Sequence, residues 1–284
     1  KQFRFVQAHD LGGWRLGEEQ LEGAVAAEQA GASEWNFVVG RSADLFQRLS
    51  EMPVKLGDVA DMFVGLQTSA DTIFLFKEFR TTSSSITEVF SKQLDRWVSI
   101  ETDILKSVIR SGSIGRYWAT PTALVLYPYE LISGKAKLIG AGELRSKYPL
   151  TWDYLNRNRR QLENRERGKF RDGEWYRFGR TQNLGLWEQP KLMIPYMIVK
   201  LAAYLDQNDE YYFINVTTGG YGITTNHTQV SLPYLCGLLN SGLLDFYLKQ
   251  VSTNFRGGYF AANKQYIEQL PIRPIDFSDP ADAA

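Results

Sequence analysis

The stretch Lys191-Leu-Met-Ile-Pro-Tyr-Met-Ile-Val199 is almost wholly apolar and contains β-branched and aromatic residues, so it predicts a buried strand. A second strand is predicted over Tyr211-Tyr-Phe-Ile-Asn-Val216, and residues 219–222 are interpreted as the turn after it. Residues 232–250 carry leucine and aromatic residues at helical spacing behind a Ser231 cap, which predicts one long C-terminal helix. Strands and helices mix without regular βαβ alternation, so an α+β fold with a mixed sheet is expected.

Further elements are predicted on both sides of this stretch. Strands are expected over residues 72–76, 99–104 and 118–127, and helices over residues 17–31, 42–50 and 151–164. The strand at residues 123–127 is nearly all apolar and is expected to be central. Residues 65–69, Gly-Leu-Gln-Thr-Ser, predict a polar loop that displays amide and hydroxyl groups. The extended segment Leu270-Pro-Ile-Arg-Pro274 is expected to close the fold.

Composition narrows the possible classes of protein. The chain has 284 residues, with 32 Lys plus Arg against 32 Asp plus Glu, so its formal net charge is zero. The single cysteine, Cys236, excludes an intramolecular disulfide and a thiolate zinc cage, and two histidines offer little for another metal site. No apolar run is long enough to cross a membrane, so a cytoplasmic location is expected. Because the chain begins at Lys1 without a signal peptide, we expect a piece of a longer protein.

Several catalytic motifs are absent from the sequence. The ten prolines never form a Pro-Pro pair, which excludes the Asn-Pro-Pro-Tyr motif of amino methyltransferases. No lysine has Asp or Glu two positions upstream, as common metal-dependent nucleases require, and no Walker motif occurs. A Ser-His-carboxylate triad stays open, although neither histidine has a recognisable nucleophile nearby. The sequence therefore predicts no catalytic residue and no metal ligand.

Charge is concentrated in one stretch. Residues 157–180 contain eight arginines and Lys169 against four acidic residues, so nine basic minus four acidic groups give +5, and the rest of the chain carries −5. Trp175, Tyr176 and Phe178 are interleaved with these arginines. Arginine binds phosphate and the O6/N7 edge of guanine, and amide side chains suit adenine, so this stretch predicts DNA binding. The alternative is a solvated helix face with a basic loop, stabilised by weak internal ion pairs.

Several segments together resemble a known family. Leu56-Gly-Asp-Val-Ala-Asp-Met-Phe-Val-Gly-Leu-Gln-Thr-Ser-Ala-Asp71, Leu162-Glu-Asn-Arg-Glu-Arg167 and Pro190-Lys-Leu-Met-Ile-Pro195 resemble the C-terminal target-recognition region of the TaqI-like and Eco57I-like adenine-specific DNA methyltransferases. The segment Leu235-Cys-Gly-Leu-Leu-Asn-Ser-Gly-Leu-Leu-Asp-Phe-Tyr-Leu248, with Leu270-Pro-Ile272, is also similar to specificity subunits of type I restriction systems.

The resemblance implies a double-stranded DNA recognition module of a restriction-modification enzyme. Residues 1–52 would then be a helical connector from an absent N-terminal methyltransferase domain, residues 53–275 the target-recognition domain, and residues 276–284 an acidic, flexible tail. S-adenosylmethionine would bind the absent domain and not this chain, and the parent protein would methylate adenine, with or without an endonuclease in the same polypeptide. An aromatic-rich module that binds carbohydrate or protein remains the alternative.

Under this hypothesis the candidate DNA-binding residues fall into two groups. The predicted phosphate contacts are Arg157, Arg159, Arg160, Arg165, Lys169, Arg256 and Lys264. The predicted base contacts are Gln67, Thr68, Arg177, Arg180, Gln182 and Asn183.

Overall fold

Short strands and helices are mixed along the chain without regular alternation, and a computed structural model describes residues 1–8, 10–17, 20–31, 37–40, 42–225, 227 and 230–275. The strands are β1 Gln2–Gln7, β2 Leu21–Ala26, β3 Asp61–Val64, β4 Leu75–Phe76, β5 Phe79–Thr81, β6 Ile86–Ser91, β7 Arg96–Glu101, β8 Leu105–Ile109, β9 Ile114–Gly115, β10 Trp118–Ala119, β11 Ala123–Leu126, β12 Tyr129–Ile132, β13 Lys135–Leu138, β14 Lys191–Pro195, β15 Met197–Ile198, β16 Tyr204–Asp206, β17 Tyr211–Phe213, β18 Gly220–Thr224, β19 Asn254–Phe255 and β20 Tyr259–Ala261. The helices are α1 Leu11–Arg15, α2 Ala43–Ser50, α3 Leu56–Val59, α4 Asp71–Phe74, α5 Ala141–Lys147, α6 Pro149–Arg157, α7 Arg159–Glu163, α8 Arg165–Gly168, α9 Leu232–Leu239, α10 Gly242–Val251 and α11 Lys264–Ile267. This mixture confirms the predicted α+β class. The tail predicted over residues 276–284 lies outside the described residues.

Two four-stranded sheets form the centre of the fold. Their strand orders are β17-β8-β11-β4 and β16-β14-β18-β3, and β17 and β8 are a parallel pair. Strand β11 lies between β8 and β4, so the predicted central strand is confirmed. Strand β14 is wholly buried, which confirms the first half of the strand predicted over residues 191–199. The second half, β15, pairs with β20 in another sheet. The split follows Pro195, whose ring nitrogen has no N–H to continue the ladder.

Each central sheet has its own apolar core. The core of the first sheet contains Trp175, Tyr176, Phe178 and Trp187, and the core of the second sheet contains the apolar faces of α9 and α10. The segment between β3 and β4 therefore passes from one sheet to the other. Trp187 joins the two at this point, since its indole Nε1 donates a hydrogen bond to the Val64 carbonyl at 3.2 Å.

The turn predicted at residues 219–222 is wrong, because Gly220–Thr224 form β18 between β14 and β3. The glycines allow neighbouring groups to approach the strand closely. A Cβ atom on Gly220 would lie 1.9 Å from the Ile194 carbonyl oxygen, and one on Gly222 would lie 2.3 Å from the Phe63 ring. The glycine cluster is thus a packing requirement of a central strand.

The N-terminal region is only partly helical. The helix predicted over residues 17–31 is wrong, because Leu21–Ala26 pair antiparallel with β1, with Gln2 opposite Ala26. Pairing with a distant strand outweighs local helix preference here, and Val39 packs directly against Gly23. The second predicted helix is confirmed as α2. The domain limits at residues 52 and 275 stay predictions.

Two helices predicted as continuous are interrupted. The long C-terminal helix divides into α9 and α10 because the Asn240 side chain turns to the Ala203 backbone, and Ser241 caps α10 by accepting a hydrogen bond from Leu244 N. The helix predicted from Thr151 begins at Pro149 and breaks after Arg157. Its N-terminus is capped by the Glu101 carboxylate, which accepts hydrogen bonds from Leu150 N and Thr151 N.

The C-terminal segment closes the fold as predicted. Leu56 N donates to the Leu270 carbonyl at 2.8 Å, and Ile272 N donates to the Val54 carbonyl at 3.0 Å. Pro271 forms a bridge with Lys55, so residues 270–272 are extended and lie beside the segment that leads into α3.

Candidate nucleic-acid interface

The segment that joins the two central sheets, residues 65–72, is the first part of the candidate site, and we call it the crossover loop. Its start is bonded to the end of β17 and to the residues that follow: Leu66 N donates to the Phe213 carbonyl at 2.7 Å and Asn215 N donates to the Leu66 carbonyl at 2.9 Å. A Cβ atom on Gly65 would lie 2.6 Å from the Asn215 carbonyl oxygen. Only glycine therefore allows this close approach.

Polar side chains fix the middle of the crossover loop. Thr68 Oγ1 donates to Asp71 Oδ1 at 2.5 Å, and the other oxygen of Asp71 accepts a hydrogen bond from Asn215 Nδ2 at 2.9 Å. Thr68 is fully buried. The predicted base contact by Thr68 is therefore corrected, because its hydroxyl shapes the loop from inside and does not reach the surface.

Arg165 is the central structural residue of the site. It is only 8% exposed, and its guanidinium donates to four carbonyl oxygens, those of Leu162, Thr68, Trp175 and Arg177, at 2.7 to 2.9 Å. Burial lowers its pKa to about 10, so the group stays protonated at neutral pH. The guanidinium joins the crossover loop to the segment that contains Arg177. The predicted phosphate contact by Arg165 is therefore corrected to a structural role.

The segment after Arg165 supplies core residues as well as candidate contacts. Trp175, Tyr176 and Phe178 are buried, so these interleaved aromatic side chains belong to the core and not to a stacking surface. Arg177 lies over the Phe170 ring at 4.7 Å and donates to Asp172 Oδ1 at 2.6 Å. This pairing raises the pKa of Arg177 and leaves the side chain mostly covered.

Four of the six predicted base contacts line one cleft. Arg180 N donates to the Gln67 carbonyl at 3.0 Å, which places these two residues side by side. A cleft of about 360 Å³ beside them is lined by Gln67, Arg180, Gln182 and Asn183, above Leu184 and Trp187. Gln182, Asn183 and Arg180 are exposed, so their polar groups face solvent. We call this the recognition cleft.

A second cleft lies on the other side of the same pair. It has a volume of about 490 Å³ and shares Gln67 and Arg180 with the recognition cleft. Its other lining residues are Ser69, Ala70, Asp71, Thr72 and Asn215. The polar edge of the crossover loop is therefore accessible from both sides.

Sequence reasoning missed three residues near the clefts, Ser69, Glu166 and Asn215. All three have positive φ angles, of 56°, 46° and 56°. Such angles are uncommon outside glycine and often occur at functional sites. For Asn215 a signal was present, since asparagine adopts this conformation more readily than most residues. Ser69 and Glu166 carried no comparable signal.

The basic stretch is largely neutralised by its own neighbours. Arg157 pairs with Asp153 at 2.5 Å, Arg159 with Glu163 at 2.7 Å, and Lys169 Nζ lies 3.7 Å from Glu166. The free cluster of guanidinium groups expected from composition is therefore wrong for most of its members. Arg160 is exposed, and no carboxylate in the described part of the chain pairs with it. It lines a shallow cleft of about 480 Å³ together with Arg157.

Arg256 and Lys264 are exposed but separate from this site. Arg256 lies in the loop of the β19–β20 hairpin and Lys264 begins α11. Neither lines a cleft beside Gln67 and Arg180. The structure thus does not bring the second predicted patch together with the candidate base contacts.

Cys236 is buried in α9, as expected of a core residue. Among the residues that the structure describes, no group of three or more His, Cys, Asp or Glu side chains could hold a metal ion. In the same part of the chain, no helix has both the length and the apolar character needed to span a membrane.

Comparison with known proteins connects this geometry to a family. Residues 139–272 match the TaqI-like C-terminal specificity domain. The matched range of this specificity domain includes Arg165, Arg180, Gln182 and Asn183, and the crossover loop precedes it. The predicted resemblance to the TaqI-like and Eco57I-like region is confirmed, whereas the similarity to type I specificity subunits stays a prediction.

Two relatives extend the comparison beyond the specificity domain. The chain is 24% identical over 299 aligned residues to "Type II restriction enzyme and methyltransferase RM.Eco57I" of Escherichia coli, which covers 98% of the chain and 29% of that protein. It is 26% identical over 142 residues to "Type II methyltransferase M.BanIII" of Aneurinibacillus aneurinilyticus, which covers 49% and 22% respectively. The chain thus spans less than a third of the length of either relative.

Proposed function

We propose that this chain is a sequence-specific double-stranded DNA recognition module. The observation that carries the proposal is the recognition cleft, where Gln67, Arg180, Gln182 and Asn183 place polar groups beside the hydrogen-bonded crossover loop. Three of these four residues lie within the range that matches the specificity domain. The aromatic side chains beside the arginines do not support the aromatic-rich alternative, since Trp175, Tyr176 and Phe178 are core residues.

The side chains in the cleft suit the edges of bases. An amide donates and accepts through adjacent atoms, as the N7 and N6 groups of adenine require, and a guanidinium offers paired donors to guanine. Arg157, Arg159 and Arg160 would hold phosphates near the cleft. The carboxylate partners of Arg157 and Arg159 do not forbid this, because exposed ion pairs contribute only about 0–1 kcal/mol.

We further propose that the module serves an adenine-N6 DNA methyltransferase or a combined restriction-modification enzyme. Support comes from the relatives, whose names describe methyltransferases and, in one case, also a restriction enzyme. In this proposal the methyltransferase domain is covalently linked and binds S-adenosylmethionine. The parent protein would act in the cytoplasm, where the DNA it reads is located.

Selection from a pool of duplexes with a randomised central segment tests the proposal. The wild-type chain should enrich one motif, and Gln182→Ala should relax one position of it by about 1–3 kcal/mol. Gln265→Ala is the matched control, because this exposed glutamine lies on α11 outside the clefts, and it should leave the motif unchanged. A wild-type chain that binds no duplex at low salt, or enriches no motif, would refute the proposal.

A further inference from the structure

Arg180 is held through one nitrogen of its guanidinium, Nη1. Its Nη1 donates to Glu166 Oε1 at 2.7 Å and to the Gly179 carbonyl at 2.8 Å. Among the described residues, neither its Nε nor its Nη2 has a hydrogen-bond partner, and the side chain is 45% exposed. The Nε–Nη2 edge, with two parallel N–H donors, is therefore available at the boundary between the two clefts.

Glu166 is itself held in place. Ser69 Oγ donates to the same Oε1 atom at 3.2 Å, so the carboxylate contacts both the crossover loop and Arg180. Glu166 and Arg167 have φ angles of 46° and 63°, a conformation that costs free energy in residues with a side chain. The hydrogen bond from Arg180 also lowers the pKa of Glu166, so the carboxylate is charged at neutral pH. The strained backbone thus directs a charged group at Arg180.

The other paired arginines of residues 157–180 do not present a free Nε–Nη2 edge in the recognition cleft. Arg159 donates from Nε to its carboxylate partner, and Arg157 donates from Nη2 to its own. In both residues the Nε–Nη2 edge of the guanidinium is therefore already engaged. Arg177 keeps that edge free but lies over Phe170 and lines neither cleft. Arg180 combines a fixed orientation, a free donor pair and a place in the cleft.

We propose that Glu166 is a positioning residue that orients Arg180 to bind one guanine of the recognised sequence. Guanine presents O6 and N7 as two adjacent acceptors in the major groove, which matches the free Nε–Nη2 edge. A phosphate accepts the same two donors, so a changed preference at one base position is what distinguishes a guanine contact from a phosphate contact. The inference rests on the proposed function and names the base that this part of the cleft binds.

Substitutions at residues 180 and 166 test the inference in the duplex selection described above. Arg180→Ala should abolish a guanine preference at one position, a loss of about 5- to 150-fold in discrimination. Glu166→Ala should reduce the preference at that same position, and Glu166→Asp should do so as well, because its shorter side chain keeps the charge but loses reach. Glu166→Gln should retain most of the preference, since its amide oxygen still accepts from Nη1.

Asp153→Asn is the matched control, because it removes the carboxylate of another exposed arginine pair outside the recognition cleft, and it should leave every base preference unchanged. The inference is overturned if Glu166→Ala and Glu166→Asp leave the motif intact, if they relax a different position from Arg180→Ala, or if that position is not guanine. Thermal unfolding of each variant shows whether it is folded. If Glu166→Ala does not fold, Glu166→Asp provides the test. A wild-type chain that enriches no motif would instead refute the proposed function, and this inference with it.

Discussion

A single buried arginine organises the candidate site at the scale of the residue. Arg165 satisfies four carbonyl oxygens from three segments, and its charge is balanced by their dipoles and by the Phe170 ring, 4.0 Å away. Arg165→Ala would remove one hydrogen bond from each of these carbonyl groups. The Thr68 carbonyl keeps its bond from Gly179 N and the Leu162 carbonyl its bond from Asn164 N, but the Trp175 and Arg177 carbonyl groups lose their donor, and each unsatisfied group costs about 1–3 kcal/mol. We expect the free energy of unfolding to fall by about 3 kcal/mol or more, measured by urea denaturation.

The control for Arg165 lies five residues earlier. Arg160 is exposed and has no carboxylate partner among the described residues, so Arg160→Ala should change the free energy of unfolding by less than about 0.5 kcal/mol. Equal destabilisation by the two substitutions would show that Arg165 is not the structural centre of the site.

Gly179 provides a second prediction at this scale. A Cβ atom there would lie 1.8 Å from Ser69 Oγ and 2.5 Å from Ser69 Cβ, so Gly179→Ala must displace the crossover loop. Overpacking of this kind destabilises by about 1–3 kcal/mol, and differential scanning calorimetry should show a lower melting temperature. Adding Ser69→Gly should restore much of the loss, because it removes the clashing atoms and suits the φ of 56°.

Gly173→Ala is the matched control for Gly179. Nothing lies within 4 Å of the position that its added methyl group would occupy, so this substitution should be nearly neutral. If Gly179→Ala were equally neutral, the close contact between residues 69 and 179 would not exist in solution.

At the scale of elements, local sequence predicted the type of most central segments but not their ends. The apolar runs at β11 and β14 were sufficient to predict strands, because a strand buried on both faces is apolar at nearly every position. The strand at Leu21–Ala26 and the glycine-rich β18 were missed, because each depends on pairing with a distant strand. Helix breaks were missed for the same reason, since Asn240 interrupts a helix only by bonding to Ala203.

The break between α9 and α10 can be tested directly. Asn240 is buried, and its amide accepts from Ala203 N at 2.8 Å and donates to the Ala203 carbonyl at 2.9 Å. Asn240→Ala would leave the Ala203 N–H unpaired, whereas the Ala203 carbonyl keeps a hydrogen bond from Tyr117 N at 3.2 Å, so the free energy of unfolding should fall by about 1–3 kcal/mol in urea denaturation. Loss of the neighbouring cap in Ser241→Ala should cost only about 1 kcal/mol.

Gly237→Ala serves as the control on α9, because the added methyl group meets nothing within 4 Å and alanine favours the helix. It should be neutral or stabilising. An Asn240→Ala variant as stable as the wild type would mean that the break does not depend on this side chain.

At the scale of the whole molecule, the charge pattern of the sequence differs from the charge pattern of the surface. The sequence predicted a free basic cluster, but carboxylates from Asp153, Glu163 and Glu166 meet its members once the chain folds. The grouping of Gln67 with Arg180, Gln182 and Asn183 was different: the residues were predicted singly, and only the fold placed them in one cleft. Composition therefore gave the residue types of the candidate site, whereas its geometry required the two sheets.

Salt dependence of DNA binding tests which charges remain available. Each phosphate contact contributes about 0.9 to the slope of log K against log salt concentration, because it releases a counterion. Arg160→Ala should therefore reduce the slope by about 0.9, whereas Arg48→Ala, an exposed arginine on α2, should not change it. Asp153→Asn frees Arg157 from its carboxylate and should steepen the slope or leave it unchanged, but not reduce it. Fluorescence anisotropy with a labelled duplex at several salt concentrations measures the slope for all three variants.

If Arg160→Ala kept the wild-type slope, the phosphate contacts would lie elsewhere on the surface, and the exposed pair of Arg256 and Lys264 would be the next to examine.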